Sequence, residues 1–190
     1  MPLNLPIILT WLRVALIPII VGIFYLPESI LPLHLQNLLG AVVFALAAVT
    51  DWFDGFLARR WNQTSSFGAF LDPVADKLMV AAALILLVEL ARAPSWLAVI
   101  IIGREITISA LREWMAQIGK SKSVAVATIG KFKTTAQMIA ILLLLWWDPI
   151  IPGIKTSIIG LVALYIAGVL TIVSMFYYLR VAAEQFRENR

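Results

Sequence analysis

Four aspartates carry most of the chemistry open to this chain: Asp51, Asp54, Asp72 and Asp76, set 3, 18 and 4 residues apart. Gly55, Ala58, Arg59 and Gly68 are interleaved with them, and no Cys or nearby His accompanies the run. An all-oxygen donor set of this kind suits Mg²⁺, Mn²⁺ or Ca²⁺ rather than Zn²⁺. Two divalent ions balance four carboxylates, and a pair about 3.5–4 Å apart is the usual arrangement for phosphoryl displacement. At about 100° per residue, Asp51, Asp54, Gly55 and Ala58 share one helical face. Asp72 and Asp76 lie one turn apart on the next helix, with Gly68 a further turn ahead on a neighbouring face. Gly55 and Ala58 leave room for a flat group or a phosphate against the backbone, and Arg59 can add a phosphate contact.

The setting makes these carboxylates conspicuous. Apolar segments long enough to cross a bilayer flank the run, and a carboxylate near the centre of a spanning helix costs about 2.5–3.5 kcal/mol, less toward its ends. The bland alternative is that each aspartate is solvated or paired with Arg59, Arg60 or Lys77. The regular interleaving with Gly, Ala and Arg argues instead for bound cations, since ionisable groups at membrane depth are functional by default.

Composition fixes the class. Of 190 residues, 62% are hydrophobic and 14% charged, with a mean hydropathy of +0.94; soluble domains run near 45–50% and 25%. The pattern predicts an all-α integral membrane protein, one domain over residues 1–190, with six transmembrane helices at about 7–26, 35–58, 71–90, 95–118, 129–147 and 154–179. Pro27, Pro32, Pro94, Gly119 and the stretch from Pro149 to Gly153 punctuate them. A short amino-terminal segment, about residues 1–10, is expected along the interface. With no basic residue before Arg13 and no small-residue cleavage site ahead of Pro27, the first stretch reads as a retained helix rather than a signal peptide. With the amino terminus inside, thirteen of the fifteen Lys and Arg fall on the cytoplasmic side, leaving Arg92 and Lys155 outside. Both termini and the aspartates then face the cytoplasm. Trp61, Trp96, Trp146 and Trp147 suit interfacial anchors. Glu28, His34, Glu89 and Asp148 sit at external ends and read as interface markers. The tail from Arg180 to Arg190 reads as a solvated helical end near anionic lipid, not as a nucleic-acid surface.

Three further polar patches interrupt the apolar spans. Asn4 leads to Thr10 and Arg13 at the start of the first. Arg104 and Glu105 precede Ser109 and Arg112, with Glu105, Ser109 and Arg112 on one face by spacing. Lys131 and Lys133 enter the fifth span beside Thr134, Thr135 and Gln137. Arg recognises phosphate bidentately, so Arg104, Arg112, Lys131 and Lys133 are candidates for an acceptor-phosphate pocket. Asn4, Thr10 and Arg13 are further candidates. Ion pairing within the bundle and anchoring to anionic headgroups are the competing explanations.

The aspartate run, D-x2-D-G-x2-A-R-x8-G-x3-D-x3-D, resembles the signature of the CDP-alcohol phosphotransferase family at all eight fixed positions. The resemblance implies that family's six-helix fold, a homodimer, and two divalent ions, Mg²⁺ or Mn²⁺. It implies transfer of a phosphate-linked group from a CDP-activated donor to an alcohol, with release of CMP. By position, Asp51, Asp54, Asp72 and Asp76 would hold the metals and Asp76 would also act as base. Asp51, Gly55, Ala58, Arg59 and Gly68 would line the CDP pocket. The stretches around Asn4, Gly103–Arg104–Glu105, Ser109–Glu113 and Gly130–Gln137 are similar to the bacterial branch that makes phosphatidylglycerophosphate. That likeness implies CDP-diacylglycerol as donor, sn-glycerol 3-phosphate as acceptor, and a place among the lipids of the bacterial inner membrane. Relatives that use inositol phosphate, serine or another phosphatidyl acceptor share the aspartate run. A cation transporter, the reading from a different class, is expected to carry midplane carboxylates on several spans and often inverted repeats; neither is visible. A non-catalytic scaffold leaves the aspartates unexplained.

Overall fold

In the computed structural model, which describes residues 5–61, 66–117, 128–150 and 153–187, the apolar segments form six helices. These are α1 (Leu5–Tyr25), α2 (Leu33–Trp61), α3 (Ser66–Glu89), α4 (Ser95–Gln117), α5 (Thr128–Trp146) and α6 (Thr156–Arg187). No strand occurs among the described residues. All six expected helices are present, and the chain is an all-helical membrane protein. The segments Ile7–Tyr25, Leu33–Asp51 and Thr156–Glu184 are each long and apolar enough to cross a membrane by themselves. The apolar runs of helices α3, α4 and α5 are interrupted by charged residues, among them Asp72, Asp76, Arg104, Glu105, Arg112 and Lys133.

The ends differ from expectation for local reasons. Helix α1 already runs from Leu5, because Pro6 falls in the first turn, where its missing amide has no intrahelical partner anyway. Residues 5–10 therefore belong to the same helix as Arg13 rather than to a separate segment. Helix α3 starts at Ser66, five residues before the apolar run begins at Leu71. Helix α6 outlasts its apolar stretch and carries an Arg180–Glu184 pair at 3.0 Å, one turn apart on the exposed surface.

Packing follows the logic of helices in lipid. Helix α1 packs on α2 and α3, α5 on α2, α3 and α6, and α4 on α3 and α6. Small residues line the contacts (Ala41, Ala47, Ala83, Ala98, Ala140 and Ala167 are buried), while Ile19, Val99, Ile106, Val162, Val169 and Phe176 point outward. Close backbone approach of this kind is how helices associate where lipid removes the hydrophobic drive between them. At Gly160 in α6, an added Cβ would stand 2.9 Å from Leu144 Cγ and 3.1 Å from Leu143 Cβ of α5, so only glycine fits without shifting α5.

The end of the bundle opposite the aspartates is closed by one arginine. Helix α3 terminates in a Schellman turn: Ala91 takes a left-handed conformation (φ 55°), with Arg92 N donating to Leu87 O at 2.8 Å and Ala91 N to Val88 O at 3.0 Å. That turn delivers the buried Arg92 side chain to the carboxy-terminal carbonyls of α5. Its Nη1 donates to Leu144 O (3.1 Å) and Leu145 O (3.0 Å), and Nη2 donates to Asn37 Oδ1 of α2 (2.6 Å). Asn37 Nδ2 in turn donates to Asp148 Oδ2 (3.0 Å), and the guanidinium lies over the Phe24 and Trp147 rings. Burial draws Arg92 down to about 10, with Asp148 opposing, so it remains charged at neutral pH. Asp148 is thus part of a buried network, not merely an interface marker. Arg92→Ala strands two carbonyls, Asn37 and Asp148, and is expected to cost about 1.5–3 kcal/mol, or roughly 3–12 °C in the melting temperature. Thermal unfolding in detergent measures this, and turnover well below the transition should change less than about twofold.

Candidate active site

Three helices assemble the acidic cluster. Thr10 and Arg13, three residues apart, share a face of α1, and that face meets α2 and α3 together. Arg13 is 1% exposed. Its Nη1 lies 3.0 Å from Asp51 Oδ1 of α2 and also donates to Asp76 Oδ1 of α3. The two carboxylates, 48% and 43% exposed, therefore converge on one cationic nitrogen at the edge of the bundle. One turn earlier on each of α1 and α3, Thr10 Oγ1 donates to Asp72 Oδ1. Gly68, a further turn back, is buried.

This geometry brings together three of the four aspartates, with Asp72 reached through Thr10. It also relocates two expected residues: Thr10 and Arg13 serve the carboxylates, and among the described residues the cation against Asp51 and Asp76 is Arg13 rather than Lys77, the Arg59 and Arg60 side chains lying outside the described residues. Asp54, one turn after Asp51, Gly55, Ala58 and Arg59 lie in α2, but their side chains fall outside the described residues, as do Asn4 and the Lys131 side chain. Among the described residues no three acidic side chains close on a single point.

A second cluster, of opposite sign, forms where α4, α5 and α6 meet. Glu105 of α4 accepts from Lys133 Nζ of α5 and from Arg104 Nη1 at 3.4 Å. Arg104 Nη2 donates to Ser174 Oγ of α6 at 3.1 Å. The guanidiniums of Arg104 and Arg112 stand over the buried Tyr178 ring, 5.6 Å and 5.1 Å from its centroid. Arg104 and Lys133 are buried, and the Nε atoms of Arg104 and Arg112 find no hydrogen-bond partner among the described residues. Three cations against one carboxylate leave a local excess of positive charge with unused donors, which is how a protein prepares for an anion. Ser109, by contrast, turns back onto Glu105 O at 2.6 Å within α4. Ser174 and Tyr178 were not visible in the sequence as site residues. They sit in the apolar α6 without a motif, and only the fold reveals that α6 closes this cluster.

A cavity of about 200 Å³ joins the two clusters. Pro73, Asp76, Lys77, Val80, Glu105, Thr134 and Gln137 line it. A smaller one of about 80 Å³, reaching Arg13 and Asp51, shares Asp76, Val80 and Thr134 with it. Pro73, which also lines this space, lacks the amide that would donate to the carbonyl of residue 69. Asp76 thus shares a cavity with Glu105, which in turn binds Lys133 and Arg104.

The CDP-alcohol phosphatidyltransferase family model matches residues 3–176. The chain belongs to that family. It is similar over its whole length to proteins named CDP-diacylglycerol–glycerol-3-phosphate 3-phosphatidyltransferase. One from Sodalis glossinidius is 57% identical over 194 aligned positions, covering 100% of both chains. One from Pectobacterium atrosepticum is 58% identical over 193 positions, covering 99% of this chain and 100% of the relative. The protein from Salmonella choleraesuis is 52% identical over 186 positions, 96% of each. Membership agrees with the aspartate run, since α2 and α3 carry all eight of its fixed positions.

Arg13 holds two carboxylates that otherwise repel. Because those carboxylates are about half exposed, the usual penalty for breaking a buried pair is reduced, to about 1–3 kcal/mol. Arg13→Met should lower the melting temperature accordingly in a chelating buffer, where no divalent ion substitutes for the guanidinium. Arg13→Lys should lose less. Equal melting temperatures for wild type and Arg13→Met would show that the pair does not hold α1 in place.

Proposed function

We propose that this protein transfers the phosphatidyl group of CDP-diacylglycerol to sn-glycerol 3-phosphate, forming phosphatidylglycerophosphate and releasing CMP. The observation that carries the reading is the cavity that Asp76 and Glu105 both line, since Asp76 belongs to the acidic cluster and Glu105 gathers the buried cations Lys133 and Arg104. Full-length similarity to the relatives that bear this activity in their names supports the same donor and acceptor.

In this reading Asp51, Asp54, Asp72 and Asp76 hold two divalent ions, Mg²⁺ or Mn²⁺. The donor set fits: it is hard oxygen throughout, and Asp51 and Asp76 already converge on a shared cation. When bound, such ions polarise the diphosphate and stabilise charge on the departing CMP oxygen. The chain's own residues do the rest. Asp51, Gly55, Ala58, Arg59 and Gly68 receive the CDP head, and Thr10 fixes the rotamer of Asp72. Arg104, Arg112, Lys131 and Lys133 hold the acceptor phosphate. Asp76 takes the proton of the attacking primary hydroxyl, whose oxygen bonds to the phosphorus carrying the diacylglycerol as the bridging bond to CMP breaks. Arg13 stays beside the carboxylates as an additional positive charge facing the diphosphate.

The same reading places the protein in the bacterial inner membrane, with both termini and the site on the cytoplasmic side, where most of its Lys and Arg fall. The donor's acyl chains remain among membrane lipids and its head reaches the carboxylates. Two copies pair as a homodimer.

Purified protein supplied with Mg²⁺, CDP-diacylglycerol and sn-glycerol 3-phosphate should release CMP. A chelator should stop the reaction and added Mg²⁺ should restore it. Release with serine or inositol phosphate but not with glycerol 3-phosphate would refute the acceptor assignment. Asp76→Asn should reduce turnover by about 10²–10⁴-fold, the range for a positioned general base, while CDP-diacylglycerol still binds. Near-normal turnover in that variant would remove Asp76 from the base role.

A further inference from the structure

Glu105, which holds the buried cations, and Asp76 both line the cavity. Gln137 remains unaccounted for. It is 2% exposed, lines the 200 Å³ cavity, and its Oε1 has no hydrogen-bond partner among the described residues. Buried side-chain amides are almost always satisfied, because an unmade bond leaves the desolvation penalty standing. A buried carboxamide with a free acceptor, on the wall of a cavity, is poised for a ligand group that donates.

Its position indicates which group. Gln137 follows Lys133 by four residues and Thr134 by three, so it lies one turn further along α5 on the face they share. Lys133 binds Glu105 within the cationic cluster, and Thr134 lines the same space as Asp76. An acceptor held with its phosphate toward the cations on Glu105 and its nucleophilic hydroxyl at Asp76 would lie along this cavity, with its middle carbon beside the wall that Gln137 contributes. For a three-carbon polyol phosphate that carbon bears a hydroxyl, which can donate to Oε1.

We propose that Gln137 reads the middle hydroxyl of the acceptor and so selects a polyol phosphate over a phosphate lacking that group. The inference rests on the phosphatidyl-transfer reading above and deepens it. Gln137 takes no part in bond making. It discriminates because an analogue without the hydroxyl leaves the buried amide unpaired in the complex, whereas a site that merely tolerates a hydroxyl discriminates weakly.

The test compares sn-glycerol 3-phosphate with 3-hydroxypropyl phosphate, the same chain without the middle hydroxyl, in CMP-release assays. Wild type should prefer glycerol 3-phosphate in kcat/KM by about ten- to a hundredfold, the range for one buried hydrogen bond. In Gln137→Met, close to the native shape, that preference should collapse. Turnover of glycerol 3-phosphate should fall by a similar factor, 3-hydroxypropyl phosphate should change less than about threefold, and the KM for CDP-diacylglycerol should hold. Gln137→Leu repeats the comparison should Met pack poorly. Equal losses with both acceptors in the variants would make Gln137 a packing residue and overturn the proposal, as would a wild type indifferent to the missing hydroxyl. A wild type inactive with both acceptors would instead overturn the phosphatidyl-transfer reading, and this one with it.

Discussion

Like charges in an apolar bundle must be brought to a cation, and here that requirement organises three helices. Two carboxylates about 4 Å apart repel by roughly 4 kcal/mol at the effective dielectric near a protein surface. Arg13 removes that cost by touching both Asp51 and Asp76 from a third helix. Because the guanidinium is itself buried, its desolvation is offset there by the carboxylates it touches. The dependence is mutual: α1 docks where it does because α2 and α3 present acids, and the acids are tolerated because α1 supplies the base. Thr10 extends the same contact by one turn.

The two ends of the bundle handle charge in opposite ways. At the Arg92 end the guanidinium has fixed protein partners: two helix carbonyls, an amide that in turn holds a carboxylate, and two rings. Such a network rigidifies. At the aspartate end the carboxylates are half exposed and border a cavity, and the opposing cations retain unused donors. A bundle stapled at one end and electrostatically unfinished at the other can hold its helices in register while leaving its inner chamber free to take charged ligands.

Much of this was legible in the sequence, for identifiable reasons. Hydropathy found all six helices because lipid exposure demands long apolar runs. It misjudged the start of α3 because Gly68 and Asp72 dilute the apolar signal where the helix is already formed. The acidic ligand candidates were legible because their spacing is local, within single helices. What the sequence hid was tertiary. Arg13 was visible as a polar residue at the start of a span, yet nothing local says that it meets Asp51, 38 positions later, rather than an acceptor. Asp148 resembles any loop acid until Asn37, 111 residues earlier, is seen donating to it. Tyr178 and Ser174 lie in a helix whose remaining residues mostly pack or face lipid, so no pattern separates them.

The two clusters also constrain each other. An acidic group and a basic group on adjacent helices would ordinarily collapse into ion pairs, and α3 and α5 are in direct contact. Collapse is prevented because each cluster is internally engaged: Asp51 and Asp76 hold Arg13, and Glu105 holds Lys133 and Arg104. Glu105 is central to this separation. Without it, Lys133 would be a buried ammonium with its described carboxylate partner removed. Glu105 therefore engages Lys133 and Arg104 in a medium where attraction between opposite charges is strong, and it borders the cavity of about 200 Å³ together with Asp76.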